Sequence, residues 1–130
     1  MLSIRRMGEL LYGTGHATCG MAIGRNGVAV WENAKGYPEF KMAVEKPISG
    51  WSHICLVYKE GAPHIYINGE YVAYKTRSLE TIHPGLNPTT LKEGASYYNG
   101  DMSVPVLFQR VLSNKEISRL AAEGYVKKGR

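Results

Sequence analysis

Two of the three Asn-Gly pairs, Asn26-Gly27 and Asn68-Gly69, each stand between short apolar runs. A two-residue hairpin turn of the primed type needs φ > 0 at both central positions, and Asn-Gly adopts it with the least strain. Each pair therefore predicts two antiparallel strands joined tightly. The first hairpin runs from Thr18–Gly24 into Val28–Glu32, the second from Ile65–Ile67 into Tyr71–Lys75. A chain with hairpins at both places is not a helix bundle or a doubly wound parallel sheet.

The rest of the chain up to about residue 110 follows the same period. In Pro38–Glu45, Phe40, Met42 and Val44 alternate with Glu39, Lys41, Ala43 and Glu45, which predicts a half-buried strand. Trp51–Tyr58 is apolar or aromatic on both faces and reads as a central strand covered on both sides. Lys59-Glu60-Gly61 turns it back, after which Ile65 and Ile67 face one way and His64 and Tyr66 the other. Arg77–Gly94, with Pro84, Gly85 and Pro88, reads as a long irregular loop. Strand character resumes over Ser96–Met102 and Val104–Arg110, with Pro105 marking an edge or a bulge. Only the tail predicts a helix, packed on the rim of the sandwich. Ser113 and Glu116 have capping-box spacing, and Ile117, Leu120 and Ala121 form one apolar face ahead of Gly124.

At 130 residues and 44% hydrophobic, the chain suits one domain spanning 1–130 with a core that needs no disulfide staples. The net charge of +5 lies in Arg5, Arg6, Lys127, Lys128 and Arg130, so residues 1–7 and 125–130 read as flexible basic tails. The body is then balanced, with no basic stripe for nucleic acid. Cys19 and Cys55 have no metal-type spacing, and each lies in an apolar run, so both read as buried free thiols. No apolar segment follows the basic start as in a signal peptide, and no stretch has the length of a membrane span. The expectation is a cytosolic protein or a piece of a longer exported one.

Two stretches carry a resemblance. Gly50-Trp51-Ser52-His53-Ile54-Cys55-Leu56-Val57-Tyr58, continuing through Ile65-Tyr66-Ile67-Asn68-Gly69-Glu70-Tyr71-Val72, closely resembles the laminin-G-like pattern within the concanavalin A-like lectin/glucanase superfamily. Tyr98-Asn99-Gly100-Asp101-Met102 and Phe108-Gln109-Arg110-Val111-Leu112-Ser113, with Glu116-Ile117, resemble that family's closing strands and short helix. Gly13-Thr14-Gly15-His16, Gly27–Glu32 and His83-Pro84-Gly85 are similar to modules attached to bacterial glycoside hydrolases. The resemblance implies an all-β, antiparallel jelly-roll sandwich closed by one short C-terminal helix, and binding of a glycan or polysaccharide. Family members begin a strand or two earlier. The expected consequence is an open sheet edge that pairs in a homo-oligomer, which is the alternative functional reading. Trp51 is expected to anchor the core between the sheets, and His53 to make a structural hydrogen bond.

Catalysis finds little support in the residues. The single aspartate, Asp101, could pair only with a glutamate, whereas a glycosidase needs two carboxylates flanking the bond. His16, His53, His64 and His83 are scattered, and His16 and His83 could meet only if the fold brings their loops together. Asp101 with Asn99 offers a weak calcium candidate, and the family's acidic residues after Gly-Asp are replaced here by Ser103, Val104 and Pro105. Without them no cofactor is expected. Sugar binding demands less: aromatic faces to stack on pyranose C–H groups, and planar polar groups for hydroxyls. Trp31, Tyr37, Tyr97 and Tyr98 supply the first, and His16, Glu32, Asn33 and His83 the second. By alternation Trp31 faces away from Val28 and Val30.

Overall fold

The computed structural model describes residues 8–84 and 106–123. The elements are α1 (Gly8–Tyr12), β1 (His16–Gly24), β2 (Gly27–Asn33), β3 (Glu39–Glu45), β4 (Ile54–Lys59), β5 (Ala62–Ile67), β6 (Glu70–Tyr74), β7 (Thr81–Pro84) and α2 (Asn114–Glu123). They build a four-stranded sheet in the order β3-β2-β1-β7 and a three-stranded sheet in the order β4-β5-β6. All pairs are antiparallel except β1 with β7, which run parallel.

The two sheets face each other across one apolar layer. Val28 and Val30 from β2 and Met42 and Val44 from β3 meet Ile65 and Ile67 from β5, all buried. Each such side chain contributes about 1.5–3 kcal/mol by leaving water. A second apolar cluster lies on the opposite face of the three-stranded sheet, where Val57 and Tyr66 are covered by Leu112 and by Ile117 of α2. The helix therefore forms a third layer on a sheet face, not a plug at the rim. The capping box is present: the Glu116 N–H donates to Ser113 Oγ, and the Ser113 N–H donates to the Glu116 carboxylate.

The turns explain how the register is held. Glu60 and Gly61 (φ 52° and 82°) and Asn68 and Gly69 (φ 53° and 83°) are left-handed pairs closing β4-β5 and β5-β6. The first hairpin differs by one residue from expectation. Gly24 pairs with Gly27, so Arg25 and Asn26 make the turn. Gly27 instead permits close strand packing. A Cβ there would lie 2.0 Å from the Val44 carbonyl oxygen, so only glycine lets β2 approach β3 at this point.

Other expectations change. Phe40 does not share a face with Met42 and Val44. A bulge between β2 and β3 pairs Val30 with Met42 but Trp31 with Phe40, which turns Phe40 outward to 58% exposure. Trp51 is 75% exposed and does not anchor the core, because β4 begins only at Ile54 and Trp51 lies in the bend before it. His53 makes its bonds through the backbone, exchanging them with Asn68, while its buried Nδ1 has no hydrogen-bond partner among the described residues. β4 is covered on both faces, with Ile54 and Leu56 against the inter-sheet core and Cys55 and Val57 under the layer of α2, and among the described residues it pairs with β5. The expected loop after Arg77 contains β7, Val106–Arg110 is irregular, and α1 is a second, short helix. The expected strand over 96–102 lies outside the described residues.

Candidate functional site

Strand alternation places the candidate residues. Thr18 pairs with Asn33 and with His83, and Gly20 pairs with Trp31. Side chains two apart on a strand share a face. His16, Thr18, Trp31, Asn33 and His83 therefore point to the side of the four-stranded sheet opposite Val28 and Val30, where Thr18 and Asn33 are buried at 6% and 1% exposure and His16, Trp31 and His83 are half-buried.

At one end of this face the two histidines meet. His16 Nδ1 lies 2.8 Å from His83 Nε2, across the parallel β1-β7 pair. One ring must donate and the other accept, so the contact requires at least one neutral imidazole. Partial burial, and then the neighbouring His16, hold His83 below its ordinary value and favour the neutral form.

Tyr12 completes the cluster. Its ring stacks on His83 with centroids 3.7 Å apart and planes 9° from parallel. The approach is built by the local backbone. The Glu9 N–H donates to Ala34 O, hooking α1 onto the chain just beyond β2, and the Gly15 N–H donates to the Glu9 carboxylate. The Thr81 N–H then donates to Gly15 O, which fixes the start of β7 beside the turn. Tyr12 remains 49% exposed, so the residue stays accessible from solvent. Sequence reasoning missed it; a tyrosine four residues ahead of His16, across two glycines, was the available signal.

Trp31 lies half-buried further across the same face and meets Phe40 edge-on at 5.4 Å. From His83 to Trp31 is two strand spacings and two residues, roughly 12 Å. Tyr37, 64% exposed, is in the bend linking β2 to β3, where the Gly36 N–H donates to Asn33 Oδ1.

Glu32 belongs elsewhere. By the same alternation it points inward, is 8% exposed, and accepts hydrogen bonds of 2.6 Å from both the Tyr58 hydroxyl and Ser78 Oγ. It ties the two sheets together and does not reach the face of Trp31. Burial, followed by the Glu32 charge, pushes the Cys19 thiol up to about 12. The Tyr58 phenol is likewise raised by burial, by Cys19 and by its bond to Glu32. Cys55 lies on the other side of its sheet, under α2, and burial raises it to about 11. Both cysteines are free thiols.

Among the described residues no three His, Cys, Asp or Glu side chains cluster as metal ligands. Tyr97, Tyr98, Asn99 and Asp101 lie outside the described residues. No described helix is long and apolar enough to cross a membrane.

Two facing, mostly antiparallel sheets with one short C-terminal helix define a concanavalin A-like class of β-sandwich. A laminin-G family model, described as the concanavalin A-like lectin/glucanases superfamily, matches residues 11–118. The chain belongs to that superfamily. No curated protein matches at a significant level. Among solved structures the chain is similar to an S-layer domain-containing protein (residues 221–444) from Clostridium thermocellum. The identity is 17% and the TM-score 0.46, over 83% of this chain and 64% of that one.

Proposed function

We propose that this protein is a non-catalytic carbohydrate-binding module, and that its glycan lies along the outer face of the four-stranded sheet. One observation carries the reading: His16, His83 and Tyr12, drawn from three elements, meet on the same face as Trp31 and Phe40. Stacking surfaces at both ends, roughly 12 Å apart by strand geometry, suit more than one sugar ring, with imidazole and phenol groups for hydroxyls. The inward orientation of Glu32 argues against a glycosidase, since its carboxylate is occupied by Tyr58 and Ser78.

Calorimetric titration with neutral oligosaccharides selected on a glycan array tests this. Trp31→Ala and His83→Ala are expected to weaken binding at least about tenfold, the loss of roughly one stacking or hydrogen-bonding contact. Binding that survives both changes would move the ligand off this face. The alternative is a structural module that self-associates through a sheet edge. It predicts an oligomer in sedimentation that takes up no sugar.

A further inference from the structure

The opposite side of the molecule carries a second concavity. Between the outer face of the three-stranded sheet and the start of α2 lies an open groove of about 790 Å³. Its floor is the ring of Tyr66, whose hydroxyl donates to Asn114 Oδ1 at 2.6 Å and so joins sheet to helix. Its wall is aromatic. Tyr71 meets Tyr66 edge-on at 5.4 Å, and His64 sits between Tyr71 and Tyr74, near-parallel to Tyr74 at 18°. Tyr71, which lines the groove, is 48% exposed and so presents surface to water.

The polar groups around this aromatic surface are mostly donors. Lys59 and Lys115 line the groove, and among the described residues neither has a carboxylate partner. The one lining carboxylate among the described residues, Glu116, is engaged by the Arg110 guanidinium and the Ser113 N–H. Asn114 uses its oxygen on Tyr66, which leaves its NH2 to donate. A groove where, among the described residues, two ammonium groups lack a carboxylate partner and a ring face is exposed complements an anion carried on a ring with apolar faces.

We infer that this groove binds an anionic sugar ring, a hexuronate unit of an acidic polysaccharide, stacked against Tyr71 with its carboxylate toward Lys59 and Lys115. Preference for an anion rests on the groove alone. The choice of a sugar over another anionic ring rests on the carbohydrate-binding reading. Sugar hydroxyls accept from Asn114 and His64, and a groove open to solvent suits a ring that is one unit of a longer chain.

Titration of the full chain with tri-galacturonate, galactotriose and benzoate, followed by calorimetry and by tyrosine fluorescence, separates the possibilities. The uronate is expected to bind and the neutral trisaccharide to bind at least about tenfold more weakly at this groove. Tyr71→Ala and the double variant Lys59→Gln with Lys115→Gln should each reduce uronate affinity by about tenfold or more, and added salt should weaken it. Arg25→Gln, a change of an exposed charge in the β1-β2 turn outside both sites, should leave it unchanged, which separates the groove from general attraction to a basic chain. Uronate binding that ignores Tyr71 and both lysines, or no uronate binding at all, overturns the inference. Equal affinity for benzoate overturns the sugar assignment. Near-ultraviolet circular dichroism of each variant confirms that a lost signal reports the groove and not unfolding.

Discussion

Glu32 shows how one residue's chemistry is decided by which way a strand presents it. Its carboxylate is buried between the sheets, where the hydroxyls of Tyr58 and Ser78 replace water. Removing it leaves both hydroxyls buried without their acceptor. Glu32→Ala should therefore destabilise the fold by about 2–4 kcal/mol, the combined size of two hydrogen bonds to a charged group and their orphaned partners, less the relief of an unburied charge. Urea denaturation of the variant checks this. A residue acting only on ligand would leave the midpoint unmoved and alter binding alone. At this scale the sequence was legible in part. The alternation that turns Trp31 away from Val28 and Val30 is the same alternation that turns Glu32 toward them, so its inward orientation was implicit. The histidine pair was not, because residues 16 and 83 meet only through the parallel pairing of β1 with β7.

Elements were readable where their signal is local. Both left-handed turns, Glu60-Gly61 and Asn68-Gly69, and the Ser113/Glu116 cap act within four residues, and each was found from residue types alone. α1 and β7 are too short, at five and four residues, to display a period, and the bulge opposite Trp31 depends on the partner strand. The docking of α2 is likewise a tertiary fact. It concentrates at Gly69, where a Cβ would lie 3.1 Å from Ser118 Cα and 3.3 Å from Ala121 Cβ, and where Ser118 Oγ donates to the Gly69 carbonyl. Gly69→Ala thus meets two penalties, a left-handed backbone (φ 83°) and displacement of the helix. The expected cost is about 2–3 kcal/mol. Because α2 shields Tyr66 and Val57, the variant should also bind a hydrophobic dye more strongly before unfolding. A variant with unchanged thermal midpoint and dye binding would show that the helix does not press on this turn.

Across the whole molecule, three histidines in three separate places lie below their ordinary values. His83 is on the outer face of the four-stranded sheet, lowered by partial burial and then by His16. His53, just ahead of β4, is lowered by burial alone. His64, in the groove beside α2, is lowered by partial burial and then by Lys59. A base held below its unfolded value is favoured neutral in the native state. Its stabilising contribution is full above about pH 6.5 and is lost as pH falls below that toward the folded values, where the unfolded chain binds more protons. The exposed carboxylate of Glu116 works in the opposite range. The Arg110 hydrogen bonds, with the Ser113 N–H, lower it to about 2, so its contribution persists down to its unfolded value near 4.5 and fades only between there and 2. Acid sensitivity between pH 7 and 5 is thus assigned to imidazoles and not to the helix cap. Thermal melts at half-unit steps from pH 7.5 to 4.5 should show the midpoint falling mainly below pH 6.5. His83→Gln, which removes one of the three titrations and leaves a neutral donor and acceptor beside His16, should flatten part of that fall. A midpoint constant from pH 7 to 5, or a fall that begins only below pH 4.5, would mean that none of the three imidazoles is held neutral by the fold.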